Sequence, residues 1–135
     1  MYHVVIGIDS EDENLTEKIE TVTDLPAAAE SVRVTLVHVH DGDGAVESVG
    51  AVADALSMLA EANVEATAHG VSGDDATQCL IEAAETLDAD LLCIGGRQRS
   101  PAGKRRLKRG ASEIILRADC PVVIAGALES REPRT

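Results

Sequence analysis

Short, unbroken apolar runs recur along the chain, each followed by a polar turn and then by apolar residues at helical spacing. The first, "VVIGID" (Val4 to Asp9), is continuous rather than alternating, which suits a strand covered on both faces of a parallel sheet. Ser10 with Glu13 three residues on forms a capping-box pattern. Leu15, Ile19 and Val22 then recur at i, i+4 and i+7 before Pro26 closes the segment. "SVRVTLVHVH", rich in β-formers, predicts a second strand over residues 32–39. After the turn-like "DGDG", Val49, Val52, Ala53, Leu56 and Leu59 lay one apolar stripe on a second helix, and "NVEATAH" alternates as a half-buried strand. A third helix is predicted to start at Asp74 or Asp75, with Ala76, Cys79, Leu80, Ala83 and Leu87 facing inward. "LLCIGG" repeats the buried-strand signature, "ASEIILRA" reads as a fourth helix, and in "CPVVIAG" Pro121 fits the first position of a strand or an edge strand.

The order βαβαβαβαβ predicts a three-layer α/β domain: a parallel sheet of five strands, right-handed crossovers, and four helices. A length of 135 residues suits one such core. In open sheets of this kind ligands sit outside the carboxyl ends of the strands, where the strand order reverses, and here that point flanks the first strand. Two stretches therefore matter most: "GIDS" after strand one and "IGGRQRSPAGKRRLKRG" after strand four.

Charge sharpens interest in the second stretch. The formal net charge is -12, yet Gly95 to Gly110 holds seven of the twelve Lys and Arg residues and no acid. With about sixteen residues and no apolar periodicity it reads as a long linker, a length usual only for functional or disordered segments. Glycines at 95 and 96 let the backbone pass close to a ligand, and the basic side chains suit an anion. A competing local reading starts a helix at Ser100, with Pro101 at its first position and Leu107, Ala111, Ile114 and Ala118 as its inner stripe. Twenty-four acids against twelve bases are halophile-like, as if an acidic surface kept the protein soluble in concentrated salt. The first residues, "MYHVVIGIDSEDE", lack the pattern of a secretory signal, and no apolar run is long enough to span a bilayer, so the expected location is cytoplasmic.

Phosphate-binding fingerprints fail when tested strictly. A P-loop needs two glycines five residues apart followed by Lys and Ser or Thr, whereas here "GKR" ends in Arg105. A dinucleotide fingerprint needs three glycines after the first strand, and "GIDSED" offers one.

The residues do resemble the universal stress protein family, over essentially the whole chain. "VVIGIDS" is similar to its first strand ending in Asp, "VTLVHVH" to its second strand with the His-Val pair, "DADLLCIGGRQRS" to its fourth strand and glycine turn, and "ADCPVVIAG" to its closing strand. The resemblance implies a Rossmann-like five-stranded sheet of order 3-2-1-4-5, a single domain over residues 1–127 with a frayed tail at 128–135, and a homodimer paired through the last strand at Val122, Val123 and Ile124. Many members bind ATP through G-x2-G-x9-G-[ST] after strand four. Carried over by position, the candidate nucleotide-binding residues are Ile8, Asp9, Ser10, Val39, Gly95, Gly96, Arg97, Gln98, Lys108, Arg109 and Gly110, with Asp9 near the nucleoside and the Val39 backbone against adenine. Gln98 stands where a second glycine is expected and Lys108 and Arg109 where Gly and Ser or Thr are. With two inserted residues Gly110 supplies the glycine, but Ala111 still replaces the hydroxyl.

The functional expectation is a regulatory protein that binds or senses an adenine nucleotide in stress response, with ATP and Mg²⁺ as candidate ligands. The alternative is a dimeric interaction scaffold that binds no nucleotide and docks an acidic partner through the basic 97–109 loop. Nucleic acid fits poorly, since outside that loop the surface is strongly negative and Tyr2 is the only aromatic residue available for base stacking. No nucleophile beside a base, carboxylate pair or metal-ligand set marks a catalytic centre, so the chemistry extends at most to slow ATP hydrolysis. His38 and His40 share a strand face near Asp41 and Asp43, but no third metal ligand follows at matching spacing. His3 and His69 are expected to be half-exposed. Cys79, Cys93 and Cys120, odd in number and set among apolar residues, are expected to be buried free thiols.

Overall fold

In the structure, a computed structural model, residues 2–8, 15–26, 28–40, 49–99, 105–107 and 111–126 are described, with backbone alone at 28–29, 40, 96–99, 105–107 and 126. The chain runs β1 (Tyr2–Gly7), α1 (Leu15–Thr23), α2 (Ala28–Ser31), β2 (Val32–His40), α3 (Gly50–Glu61), β3 (Glu65–Ser72), α4 (Ala76–Thr86), β4 (Leu91–Arg99), β5 (Arg105–Leu107), α5 (Ala111–Arg117) and β6 (Val122–Gly126). β1 pairs in parallel with β2 on one edge and β4 on the other, β3 continues beyond β2, and β6 runs parallel to β4. The five parallel strands therefore take the expected order 3-2-1-4-5, with β6 in the fifth place.

The continuous apolar run at the start is explained by burial on both faces. Val4 and Ile6 pack with Ile19 and Val22 of α1 and Val52, Ala55 and Leu59 of α3. Val5 packs on the opposite face, with Leu80, Ile81 and Ala84 of α4 and Ile114 of α5. Val4, Val5 and Ile6 are fully buried, and each such side chain contributes roughly 1.5–3 kcal/mol of transfer free energy.

α3 and α4 end alike. Val64 N–H donates to the Leu59 carbonyl and Asn63 N–H to Ala60, while Ala89 N–H donates to Ala84 and Asp88 N–H to Glu85. These are Schellman motifs, with Asn63 (φ 60°) and Asp88 (φ 53°) in the left-handed region that such caps require. At the start of α4 the Asp75 carboxylate accepts from Gln78 N–H at 3.1 Å. Asp75→Ala is expected to lower stability by about 1 kcal/mol, measured by urea denaturation. No change in midpoint would show that water serves the helix end equally well.

The structure corrects several expectations. The stretch after strand four is not a structureless linker at its described positions. β4 continues through Arg99, and Arg105 to Leu107 return antiparallel to it. Pairing with β1 stops at Cys93, and a returning strand satisfies backbone groups that β4 would otherwise leave unpaired on that edge. The extended backbone at 105–107 also rules out a helix running from Ser100, since α5 begins at Ala111. Ala53 and Ala76 are exposed rather than inward, and α4 instead buries Leu80, Ile81, Ala83 and Ala84 against the sheet. α2 is an additional helical turn that the sequence pattern does not announce. The capping pair Ser10 and Glu13, "DGDG" and the tail 128–135 lie outside the described residues. No helix among the described residues is long and apolar enough to cross a membrane.

His3 is the clearest correction. It is 3% exposed, because its ring bridges two elements: Nδ1 lies 3.0 Å from the Leu87 carbonyl and Nε2 2.7 Å from Thr35 Oγ1. A carbonyl only accepts, so Nδ1 carries the proton and donates it. Of the thiols, Cys93 is buried as expected, whereas Cys79 and Cys120 are only partly buried. Burial first, then the charges of Asp119 and Asp90, pushes the Cys120 thiol above the ordinary thiol range. Its iodoacetamide reactivity at pH 8 is therefore expected to fall several-fold below that of an unhindered thiol and to climb only at higher pH, read by peptide mass spectrometry. The folded state keeps a proton that the unfolded chain releases first. The associated stability is thus present below the unfolded value and declines as pH rises through the folded one. Reactivity equal to that of glutathione at pH 8 would contradict this.

Candidate functional site

From β1 the sheet grows in both directions, to β2 and β3 on one side and to β4 and β6 on the other. The reversal lies between β1 and β4, and at the carboxyl ends of these strands there is a cavity of about 170 Å³. Its floor is Gly7 and Ile8 from the tip of β1, Val37 and Val39 from β2, and Ile94 and Gly95 from β4. The walls come from the first turns of α4 (Ala76, Thr77, Leu80) and α5 (Ala111, Ile114), with Lys18 from α1. The residues are drawn from six elements, so the pocket exists only in the assembled sheet.

Local chemistry holds the tip of β1 in place. Ile8 N–H donates to the Val37 carbonyl at 2.8 Å. The Ile8 carbonyl accepts from His38 Nδ1 at 2.9 Å, and the Gly7 carbonyl accepts from Lys18 Nζ at 2.6 Å. His38 is 4% exposed and Lys18 2% exposed. A Cβ at Gly7 would sit 2.8 Å from Leu80 Cδ2 on the cavity wall, so a larger residue there would push that side chain aside.

Of the residues singled out from sequence, Ile8, Val39 and Gly95 line this cavity. Gly96, Arg97 and Gln98 lie on the continuation of β4, which bulges between Gly95 and Arg97. Arg97 pairs with Gly126 on one edge and Leu107 on the other. Because β6 already occupies the first edge from Leu92 onward, β5 continues the edge that β1 occupies at Leu91 to Cys93. The basic hairpin thus extends the sheet past the tip of β1. Asp9, Ser10, Lys108, Arg109 and Gly110 lie outside the described residues, as do Asp41 and Asp43. Among the described residues no three His, Cys, Asp or Glu side chains group closely enough to hold a metal ion. Val122, Val123 and Ile124 sit half-buried on β6, where Ile124 pairs with Ile94 of the cavity floor.

Two site residues escaped the sequence reading. His38 was weighed as a metal ligand, but its Nδ1 serves the Ile8 carbonyl. Lys18 was missed entirely, although Leu15, Lys18 and Val22 follow at helical spacing on one face of α1, so a charged residue inside the apolar stripe was the available signal. Ala111 is 3% exposed at the start of α5 and lines the cavity, so a methyl group forms that part of the wall.

Fold and crevice together define a small doubly wound α/β protein with a recess at its switch point. The universal stress protein family model matches residues 1–126, and the chain belongs to that family. A universal stress protein of Mycolicibacterium smegmatis is 36% identical over 74 residues, which cover 55% of this chain and little more than half, 57%, of that relative's length. The universal stress protein of Archaeoglobus fulgidus superposes with a TM-score of 0.75 at 23% identity, over 93% of this chain and 98% of that one. A family member from Arabidopsis thaliana, solved with AMP bound, superposes with a TM-score of 0.73 at 13% identity, over 98% and 97% of the two chains. At these identities the structural likeness establishes the fold.

Proposed function

We propose that this protein is a universal-stress-type regulator that binds or senses an adenine nucleotide in the crevice between β1, β2 and β4. The observation that carries the reading is the cavity itself: a mostly apolar slot at the switch point, floored by Ile8, Val39 and Gly95, where doubly wound sheets hold their ligands. The AMP-bound relative from Arabidopsis supports the ligand class. At about 170 Å³ the recess is smaller than the roughly 300–1,000 Å³ of pockets that enclose a whole drug-sized ligand. It would hold the base, with the sugar and phosphates reaching toward the basic hairpin. There Arg97 and the Lys108 to Gly110 corner would supply by charge what a glycine and a hydroxyl supply in the family motif, with Asp9 and the Val39 backbone at the nucleoside. Occupancy would then change the surface offered to a partner protein. The unpaired outer edge of β6 among the described residues supports a homodimer joined through Val122 to Ile124.

The test is to denature freshly purified protein, identify any nucleotide released, and then titrate emptied protein with AMP and with ATP and Mg²⁺ in a calorimeter. Binding in the micromolar to low millimolar range supports the reading. An empty extract together with no heat at millimolar nucleotide would sink it in favour of a scaffold that works by charge alone.

A further inference from the structure

Thr77 is the residue of the crevice wall that the fold does not account for. It stands second in α4 and lines the recess together with Ala76 and Leu80, and positions 77 and 80, three apart, share one face of the helix. Helix formation gives no reason for a threonine here. Alanine is the better helix former, and the helix start is already served by Asp75, whose carboxylate accepts from the Gln78 N–H. The other described threonines that are at least half-buried, Thr21, Thr23 and Thr35, all have partners for their hydroxyls. Thr21 donates to the Glu17 carbonyl at 2.7 Å and Thr23 to the Glu20 carbonyl at 3.3 Å, while Thr35 meets His3 Nε2 at 2.7 Å. Thr77 is half-buried too, yet among the described residues its hydroxyl has no hydrogen-bond partner.

A hydroxyl at the rim of a recess is served by water, and a ligand that fills the recess displaces that water. The displaced hydrogen bond must then be replaced by the ligand, or the loss counts against binding. Apart from Lys18, whose Nζ meets the Gly7 carbonyl at 2.6 Å, the side chains around Thr77 in the described wall are aliphatic. A threonine hydroxyl both donates and accepts, so it can meet a ring nitrogen or an amino group. We infer that Thr77 is a base-reading residue of the crevice, its hydroxyl hydrogen-bonding a polar edge of the nucleobase that fills the recess. This rests on the adenine-nucleotide reading above, in which the recess holds the base.

The experiment titrates AMP by calorimetry into the wild-type protein, Thr77→Val and Thr77→Ser, and records the Tm of each without ligand. Valine keeps the shape and deletes the hydroxyl, so AMP binding is expected to weaken by about 5- to 30-fold, while the ligand-free Tm moves by no more than about 2 °C. Serine restores the hydroxyl and should bind AMP within about threefold of wild type. A serine variant as weak as the valine one would mean that the methyl group matters instead, and would overturn the inference. So would a valine variant that fails to fold or melts markedly lower, because the hydroxyl would then serve the chain itself. Base and sugar are separated with AMP labelled with ¹⁵N in its base, at saturation. One base-nitrogen signal should differ between the wild-type and Thr77→Val complexes, and identical base signals would overturn the assignment to the base. If the wild-type protein binds AMP and Thr77→Val binds it equally well, the nucleotide reading stands and this inference alone falls. If the wild-type protein binds no AMP, both fall.

Discussion

Replacing His3 by alanine is expected to remove about 3 kcal/mol of stability, which for a domain of this size corresponds to a fall in Tm of about 10 °C. The ring is 3% exposed and hydrogen-bonded at both nitrogens, to the Leu87 carbonyl and to Thr35 Oγ1. Its removal leaves a void beside β1, takes a donor from a carbonyl at the end of α4, and takes a partner from a hydroxyl on β2 that is itself 7% exposed. One side chain thus ties together three elements distant in sequence. Thr35→Val isolates one link, keeping shape while deleting the hydroxyl, and should cost about 1–2 kcal/mol. A double-mutant cycle between the two positions should give a coupling of at least about 0.5 kcal/mol. Urea denaturation of the four proteins decides the matter: a loss below about 1 kcal/mol for His3→Ala with additive effects would mean that water serves both partners as well.

Ala76→Trp is expected to weaken nucleotide binding by at least about tenfold while shifting Tm by no more than about 2 °C. Ala76 opens α4, lines the crevice and is exposed, so a large side chain there can occupy the recess without entering the packed core. Ala60→Trp, exposed on α3 and absent from the cavity lining, is the matched control. The chain has no tryptophan of its own, so each variant carries a single indole whose emission reports its surroundings directly. Equal affinities for the two variants would move the ligand away from this crevice.

The fold was legible where sequence pattern and tertiary environment require the same thing. Val4 to Ile6 are apolar without alternation because both faces of β1 are covered, and a run of that kind announces a central strand. The switch point follows from element order, which points to the stretches holding Ile8 and Gly95, whereas Val39 is implied only by the family resemblance; all three line the cavity. What stayed hidden depends on neighbours that sequence does not name. Arg105 to Leu107 are extended because β4 outruns β1 and offers them an edge, not because "RRL" favours a strand. His3 alternates into the interior because Thr35 and Leu87, one 32 and the other 84 residues away, supply its partners. Lys18 does not stand out in the sequence because a lysine is rarely sought on the inner face of a helix, and its Nζ there meets the Gly7 carbonyl.

The place of β1 in the sheet also fixes an order of assembly. The strand made first ends as the central one, and its second edge is closed by residues that follow it by nearly ninety positions, with His3 N–H reaching the Asp90 carboxylate 87 residues away. During synthesis β1, β2 and β3 can gather while that edge stays open, a template for wrong pairing until β4 arrives. Contacts of such separation form late, because a long loop must close before they contribute anything. The crevice, built on both sides of that seam, is therefore among the last features to appear, and a small molecule held there would meet a nearly finished protein rather than guide a nascent one.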